Sequence, residues 1–301
     1  RGVNRALGFG RVARPPMSAL VYRLQDAGHF VAVTGDGVND APALKGAHIG
    51  VAMGKGGTDV ARGAAALILT DDNFASIVHG IEEGRGAYDN VRKVTWLLLA
   101  TGAGEVLLFF LAIFAGLPLP LNPVQLLWLN LVTNGIQDVA LAFEKTEPGV
   151  LKRKPRSPDQ PIFDRLMIRH TLTSGLYIGG VAFAVYYYLI QAGYGEHEAR
   201  NLLLLLMVLF ENVHAFSCRS ERRSAFRVPL TANLLLVAAV VAAHGVHIGA
   251  MFVPGLRDVL GIAPVSADVW LMLLPIAVSL LFVDEIAKLI HRRQEAGWTT
   301  S

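Results

Sequence analysis

Long apolar stretches dominate the last two-thirds of the sequence, whereas the first 93 residues mix charged and apolar positions. Each stretch has about enough residues to cross the ~30 Å hydrocarbon layer of a membrane as a helix. Six spans are predicted, at residues 94–116, 123–143, 168–191, 199–217, 231–252 and 268–286. The pattern therefore predicts an all-α six-helix transmembrane bundle that follows a smaller soluble segment.

Short apolar runs alternate with helix-like segments before the first span. Strands are predicted at residues 30–34, 49–53 and 66–70, with helices near 41–46 and 59–65 between them. Such alternation favours a parallel sheet covered on both faces, so the soluble segment is predicted to be α/β. Functional loops of parallel sheets gather at the carboxyl ends of the strands.

The composition and the charge pattern also indicate a membrane protein. Hydrophobic residues make up 53% of the chain and charged residues only 17%, and the mean hydropathy is +0.44. Basic residues concentrate at 145–169, 219–227 and 288–293, whereas the alternate connections hold few. The positive-inside rule then places the soluble segment, these loops and the C-terminus in the cytoplasm. We expect a multi-pass protein of the plasma (inner) membrane, with lipid and not nucleic acid beside its basic loops.

Residues 34–44 carry the strongest chemical signal, the string Thr-Gly-Asp-Gly-Val-Asn-Asp-Ala-Pro-Ala-Leu. They follow the first predicted strand, so Asp36 and Asp40 are expected to meet across a tight turn. Two carboxylates so placed suit Mg²⁺, which takes oxygen ligands and commonly also holds a phosphoryl group. Asn39 adds a neutral donor and acceptor beside them.

Glycines flank the first of these aspartates. Gly35 and Gly37 are expected to leave room for a ligand or to adopt the positive φ of a sharp turn. An ordinary Asp-Gly turn would explain Asp36 and Gly37, but it would not explain Asn39, Asp40 or the Pro42 that follows at a helix start. A dinucleotide-binding loop would need a third glycine where Asp40 stands.

Polar side chains within the predicted spans form a second candidate site. Glu105 lies in the first span, where an ionisable side chain is costly and marks a functional position by default. In the second span Asn130, Asn134 and Asp138 recur every four residues. This spacing predicts one polar face of a helix, bordered by Thr133 and Gln137.

Glu211 in the fourth span adds another carboxylate. Oxygen-bearing side chains that converge inside a membrane can replace part of the hydration shell of a cation. The alternatives are a protonated core glutamate at Glu105 and a polar seam between helices. A transition-metal site formed by Glu211 with His214, His244 and His247 is the less favoured interpretation.

Nearly the whole chain resembles one known family. Residues 34–44 resemble the hinge signature of the P-type cation-transporting ATPases, and four further segments look like the phosphorylation domain of their P2 group. These segments are Ile-Gly-Val-Ala-Met at 49–53, Gly-Thr-Asp-Val-Ala at 57–61, Leu-Thr-Asp-Asp-Asn-Phe at 69–74 and Glu-Gly-Arg-Gly-Ala-Tyr-Asp-Asn at 83–90. The resemblance implies the end of a HAD-like Rossmann phosphorylation domain and stalk at 1–93, the C-terminal transmembrane domain at 94–290 and a cytoplasmic tail at 291–301.

The resemblance also assigns roles to the two candidate sites. In that family ATP phosphorylates an aspartate, and Asp36 and Asp40, with Asn39 and Gly37 beside them, would hold Mg²⁺ against it. Glu105, Asn130, Thr133 and Glu211 stand where calcium pumps place cation ligands. Asn134 stands where those pumps carry an aspartate, Asp138 offers a carboxylate one turn further on, and Gly102 replaces an asparagine. A transported cation is therefore expected, with calcium as one possibility.

Several family features do not occur in this sequence. It has no Asp-Lys-Thr-Gly-Thr phosphorylation motif, and it lacks the nucleotide-binding domain, the actuator domain and the first four membrane helices. Because it also begins at Arg1, we expect it to be the C-terminal portion of a pump whose N-terminal half supplies the ATP site. Met17 stands where the family carries a lysine that contacts the phosphoryl group, and Arg14 is a candidate to replace it. The alternative is a truncated, catalytically inactive remnant or a regulatory membrane protein.

Overall fold

The computed structural model describes residues 17–157 and 160–298. Arg1 and Arg14 lie outside this range. The chain divides into two compact units, one up to Gly84 and one from Arg85 onwards.

The first unit contains a parallel sheet of three strands. Its strands are β1 (Ala32–Gly35), β2 (Ile49–Met53) and β3 (Leu67–Leu69), in the order β1-β2-β3. Its helices are α1 (Met17–Asp26), α2 (Ala41–Gly46) and α3 (Asp59–Ala64). The register pairs Val33 with Gly50 and Val51 with Leu67. The predicted alternation and the parallel pairing are confirmed, with boundaries that differ by no more than about two residues.

A small apolar core lies between the sheet and its helices. It contains Val21 of α1, Val33 of β1, Leu44 of α2 and Ala61 of α3, all almost fully buried. Helix α2 lies so close to β2 that a Cβ added at Gly50 would be 2.2 Å from the Leu44 carbonyl oxygen. This close packing fixes the path of the chain that leaves β1, where the first candidate site begins.

The second unit is helical. Helix α4 (Phe74–Phe114) enters it from the first unit. It is followed by α5 (Pro123–Leu127), α6 (Asn134–Ala142), α7 (Arg165–Gln191), α8 (Glu196–Ser217), α9 (Leu234–Phe252), α10 (Pro254–Leu260) and α11 (Ala267–Trp298). Within the described residues, five helical segments are long and apolar enough to cross a membrane. These are Phe74–Phe114, Arg165–Gln191, Glu196–Ser217, Leu230–Phe252 and Ala267–Gln294.

The predicted second span does not form one long α-helix, so five long helices are found where six were expected. Residues 123–142 are helical throughout, but a π-helical segment, Trp128–Thr133, separates α5 from α6. Two polar side chains of this segment bond to backbone carbonyls one turn earlier, Asn130 to Leu126 (3.1 Å) and Thr133 to Leu129 (2.8 Å). π-Helical turns are frequent at functional sites.

Helix α8 is the centre of the bundle. Of its most apolar window, 83% is buried inside the protein, against 22–39% for the other four long helices. It packs against α7, α9, α11 and the π-helical segment. Glu211 lies in this buried part of α8 and is itself fully buried.

Small residues allow α4 and α7 to approach closely. A Cβ added at Gly179 would lie 2.5 Å from the Gly104 carbonyl oxygen, and one added at Gly175 would lie 3.1 Å from the Ala100 carbonyl oxygen. The spacing of Gly175 and Gly179 is the small-xxx-small pattern of close helix pairs in membranes. This contact holds the segment of α4 that carries Glu105.

Candidate magnesium site and candidate cation site

The turn after β1 brings Asp36 and Asp40 together. Asp36 follows the last residue of the strand, and a 3₁₀ turn (Val38–Asp40) leads into α2. One oxygen of Asp40, Oδ2, accepts hydrogen bonds from the backbone N–H groups of Asp36 (3.1 Å) and Gly37 (3.0 Å). The two carboxylates thus lie on a single turn at the carboxyl end of a parallel strand.

The two glycines of the turn have different roles. A Cβ at Gly35 would lie 2.5 Å from Cβ of Asp40, so only glycine fits beneath that side chain. A Cβ at Gly37 would make only an ordinary contact, 3.5 Å from Asp40 Oδ2. Neither glycine has a positive φ, and Gly37 has φ −103°. The expectation of positive φ is therefore wrong, because the 3₁₀ turn is built from ordinary backbone angles.

Asp36 and Asn39 are exposed, and Asp40 is half-buried. Within the described residues, no hydrogen bond to the Asp36 carboxylate is found, and no three His, Cys, Asp or Glu side chains converge as a metal site would require. Mg²⁺ commonly takes only one or two protein carboxylates and completes its shell with water and phosphate oxygens. Two solvent-accessible carboxylates at this strand end fit that pattern.

A neighbouring loop is held in place by Asp72. The Asp72 carboxylate accepts hydrogen bonds from the backbone N–H groups of Gly54 (2.7 Å), Lys55 (2.9 Å) and Gly56 (2.7 Å). Asp72 itself has φ +56°, which is uncommon for a residue other than glycine. The loop ends next to the candidate magnesium site, since the Thr58 N–H donates to the Asp36 carbonyl (2.8 Å).

In the bundle, Glu105 of α4 is paired with Asn130 of the π-helical segment. The Asn130 Nδ2 atom lies 3.1 Å from both carboxylate oxygens of Glu105. Glu105 is 9% exposed, whereas Asn130 is exposed. Two residues separated by 25 positions, both predicted to be ligands, are thus in direct contact.

Thr133 and Glu211 form the second contact among the predicted residues. The Thr133 hydroxyl donates to Glu211 Oε2, and both side chains are fully buried. This bond joins the π-helical segment to α8 at the centre of the bundle.

The polar face of the second span is divided between two neighbours. Asn130 and Asn134 face α4, since Asn134 Nδ2 donates to Thr101 Oγ1 (3.2 Å). Thr133 and Gln137 instead face α8, where Gln137 Nε2 donates to Asn212 Oδ1 (2.6 Å). Sequence reasoning predicted one face, because it assumed a regular α-helix.

Thr101 is a member of this set that sequence reasoning missed. Thr101 could have been found from its position, because it lies four residues before Glu105 and therefore on the same face of α4. Asn212 continues the set towards α9, where its Nδ2 atom lies 3.1 Å from His244 Nδ1.

Four buried side-chain oxygens in this region accept no hydrogen bond from any described residue. They are Asn134 Oδ1, Gln137 Oε1, Asp138 Oδ1 and Glu211 Oε1. Buried polar atoms are almost always hydrogen-bonded, and leaving one without a partner is costly. All four atoms are oxygens, the type of ligand that a hard cation prefers, and they lie on α6 and α8.

The histidines of the bundle have partners of other kinds. His214 Nδ1 lies 3.0 Å from Asp284 Oδ2, and His247 Nδ1 accepts a hydrogen bond from Trp128 Nε1 (3.1 Å). Within the part of the chain that the structure describes, no cluster suited to a transition metal is found.

The sequence is similar to known cation-transporting ATPases. A family model described as "Cation transporting ATPase, C-terminus" matches residues 118–290, more than half of the chain. The probable cation-transporting ATPase F of Mycobacterium tuberculosis is 42% identical over 291 residues, which cover 96% of this chain and 32% of that protein. The calcium-transporting ATPase of Bacillus subtilis is 40% identical over 268 residues (88% of this chain, 30% of that protein). The endoplasmic reticulum calcium ATPase srcA of Aspergillus fumigatus is 36% identical over 322 residues (97% and 33%).

The chain spans about a third of the length of these relatives. The matches extend over both units, and the family model includes the helices that carry Asn130 and Glu211. The chain therefore belongs to the P-type cation-transporting ATPases and corresponds to a C-terminal part of such a protein.

Proposed function

We propose that this chain forms the ion-binding bundle and the end of the phosphorylation domain of an ATP-driven cation pump. The proposed ligands of the transported cation are Glu105, Asn130, Thr133, Asn134, Asp138 and Glu211. Gln137 and Thr101 are added by their contacts with this set. The names of the relatives, which include cation- and calcium-transporting ATPases, support the class of substrate.

The observation that carries the proposal is the group of four buried oxygens without donors. Asn134, Gln137, Asp138 and Glu211 each have one. A polar seam that only joined helices would be expected to pair these atoms with each other or with backbone groups. A bound cation would satisfy them.

Hydrogen bonds among the proposed ligands hold their side chains in place. Asn130 donates to both oxygens of Glu105, and Thr133 donates to Glu211. Cation binding requires Asn130 to turn its amide oxygen towards the ion and Thr133 to redirect its hydroxyl proton. Because both residues lie in the π-helical segment, their movement is coupled to the backbone where α5 and α6 meet.

The soluble unit is proposed to serve the phosphorylation chemistry. Asp36 and Asp40 would hold Mg²⁺, with Asn39 and Gly37 completing the turn. The ion would neutralise phosphate charge there. ATP itself would be bound mainly by an N-terminal half of the pump.

The proposed membrane topology has six crossings. Residues 123–142 supply the additional one, since a helix of this length extends ~30 Å at ~1.5 Å per residue. The proposed domains are the end of a HAD-like phosphorylation domain at 1–93, the transmembrane domain at 94–290 and a tail at 291–301. The soluble unit and the basic loops would face the cytoplasm of the plasma membrane.

Transport is tested with the polypeptide that contains this chain, expressed in membranes from which everted vesicles are prepared. ATP-dependent uptake of radioactive Ca²⁺ is measured first, with Na⁺, K⁺ and Mn²⁺ as competitors. Glu211→Gln is expected to weaken the apparent affinity for the ion by more than about tenfold. Glu196→Gln changes an exposed glutamate on the same helix and should have no effect. Equal behaviour of the two variants would contradict the ligand assignment.

A second candidate function is a catalytically inactive remnant or a regulatory membrane protein. Met17, the first residue of α1, favours it because a thioether cannot neutralise phosphoryl charge as an ammonium group does. An antibody against residues 290–301 measures the size of the native product. A band more than twice 32.4 kDa supports a pump. Met17→Lys then distinguishes a slow pump, whose phosphorylation rate rises, from an inactive one.

A further inference from the structure

An apolar groove of about 480 Å³ opens between α8, α11 and the loop that follows α8. Its walls include Val213 and Phe216 of α8 and Val278 and Leu281 of α11. The loop contributes Phe226, which is 65% exposed. The groove is thus open to the outside of the bundle.

Half-buried hydrogen bonds fix the loop on two sides of the groove. Arg219 donates to the backbone carbonyls of Val228 (3.3 Å) and Pro229 (3.0 Å). At the other side Glu285 of α11 accepts a hydrogen bond from the Ala225 N–H (2.8 Å). The shape of the groove is therefore fixed by its frame.

Positive charge lies at the rim of this apolar surface. The 3₁₀ turn Ala225–Arg227 places Arg227 directly between the lining residues Phe226 and Val228. The Arg223 guanidinium approaches the Arg227 carbonyl, with Nη2 at 3.5 Å. Three nearby carboxylates are engaged elsewhere: Glu285 by the Ala225 N–H and Lys288 Nζ (3.3 Å), Glu144 by Arg219 and Glu221 by Arg92.

We propose that the groove binds an acyl chain of an anionic phospholipid whose phosphate lies against Arg223 and Arg227. The apolar groove matches the acyl chain of such a lipid, and the two guanidinium groups match its phosphate. Guanidinium groups are suited to phosphate oxygens. Basic residues at a membrane surface attract anionic lipids with a free energy that corresponds to about fivefold in affinity per residue. This site is separate from the proposed cation ligands and does not depend on the identity of the ion.

Occupancy of the groove should stabilise the bundle beyond the loop. Arg219, which frames the groove, also pairs with Glu144 just beyond α6. Asn233 donates to the same carboxylate (3.1 Å) and to the Ala140 carbonyl of α6 (3.0 Å). A lipid that fixes this loop therefore restrains the end of the helix that carries Asn134 and Asp138.

The full polypeptide, purified in a neutral detergent, provides the test. Native mass spectrometry and thermal unfolding are recorded with dioleoylphosphatidylglycerol and with dioleoylphosphatidylcholine. The phosphatidylglycerol is expected to bind about twenty-five-fold more tightly, about fivefold for each of the two arginines, and to raise the unfolding midpoint. Arg227→Gln and Arg223→Gln should each remove about fivefold of that preference and leave the binding of phosphatidylcholine unchanged. Arg257→Gln is the control, because it removes the same charge in α10, and it should leave the preference for phosphatidylglycerol unchanged.

Two further measurements separate the lipid from other occupants. Val278→Trp should fill the groove and abolish the preference while Arg223 and Arg227 remain, and soluble glycerol phosphate should not raise the unfolding midpoint. Equal retention of the two lipids, or an Arg257→Gln effect as large as that of Arg227→Gln, would overturn the proposal. Co-purification of a second copy of the chain or of a transmembrane peptide that Val278→Trp releases is a further outcome to be checked. That result would also overturn the proposal, because the groove would then bind protein and not lipid.

Discussion

Arg219 and Glu144 form a two-pronged ion pair in which Nε lies 2.9 Å from Oε2 and Nη2 lies 2.8 Å from Oε1. The two side chains are 2% and 3% exposed. Residues 75 positions apart, one just beyond α6 and one just beyond α8, are thereby joined at one end of the bundle. A planar guanidinium is required for this geometry, because an ammonium group cannot present two parallel N–H donors.

Glu144→Gln is expected to destabilise the protein by about 3–5 kcal/mol, because it leaves the buried charge of Arg219 uncompensated. Arg219→Lys should destabilise it as well, despite the unchanged charge. The midpoint of thermal unfolding measures both effects. Asp258→Asn breaks an exposed pair with Arg257, and its cost should be below about 1 kcal/mol. Similar midpoints for the Glu144 and Asp258 variants would show that burial does not determine the strength of the pair.

The close approach of α4 and α7 predicts a contrast between two adjacent glycines. Gly179→Leu places a side chain where even a Cβ would meet the Gly104 carbonyl oxygen at 2.5 Å, so the helices must separate. Gly180→Leu is the matched control, since nothing lies within 4 Å of its Cβ position. Overpacking should reduce the free energy of unfolding of the Gly179 variant by roughly 1–3 kcal/mol and lower its unfolding midpoint. The Gly180 variant should keep the midpoint of the unsubstituted protein. Equal loss in both variants would point to a general intolerance of leucine.

Asp72 predicts a pH effect confined to the soluble unit. The backbone N–H groups of Lys55 and Gly56 lower the pKa of Asp72 below its ordinary value of 3.8, since they stabilise the charged form. A group whose pKa is lowered on folding stabilises the structure above its ordinary pKa, and this stabilisation is lost as the pH falls through the folded value. Amide hydrogen exchange at residues 54–56 should therefore be slow at neutral pH and accelerate, relative to intrinsic rates, below about pH 4.

Asp72→Asn should remove the protection of these amides at neutral pH, because bonds to a charged acceptor are stronger than bonds to a neutral one. Asp26→Asn, at the exposed end of α1, is the control. Retained protection at residues 54–56 in the Asp72 variant would mean that the loop is held by its packing instead.

The sequence predicts contacts between residues that are close together in the chain better than contacts between residues that are far apart. Helix α2 and strand β2 are predicted with their exact bounds, because local periodicity and flanking glycines specify them. The meeting of Asp36 and Asp40 also follows from local pattern, since both belong to one turn. The partners Thr101 and Asn134 lie on different helices, and no local pattern indicates that they meet. Asp72 could not be predicted either, because its role depends on backbone groups 16–18 residues away.

The π-helical segment shows a further limit of pattern reasoning. A period of 3.6 residues places Asn130, Thr133, Asn134 and Asp138 near one face. The wider turn at Trp128–Thr133 changes the angle between successive residues and distributes them over two neighbours. The residues of the polar set were therefore predictable, but their partners were not.

Asn134 provides the sharpest test of the proposed cation site. It is fully buried, its Oδ1 atom has no donor and its Nδ2 atom donates to Thr101. Asn134→Asp removes that donor, but the Thr101 hydroxyl can turn from its backbone acceptors in α4 and donate to the new carboxylate. A carboxylate here adds a full charge beside a bound ion. The apparent affinity for a divalent cation should rise by at least about tenfold, and that for a monovalent cation should rise less. Asn122→Asp is the control, because Asn122 caps α5 and aspartate is an equally good cap. Unchanged affinities in the Asn134 variant, together with a folded protein, would place the ion away from α6.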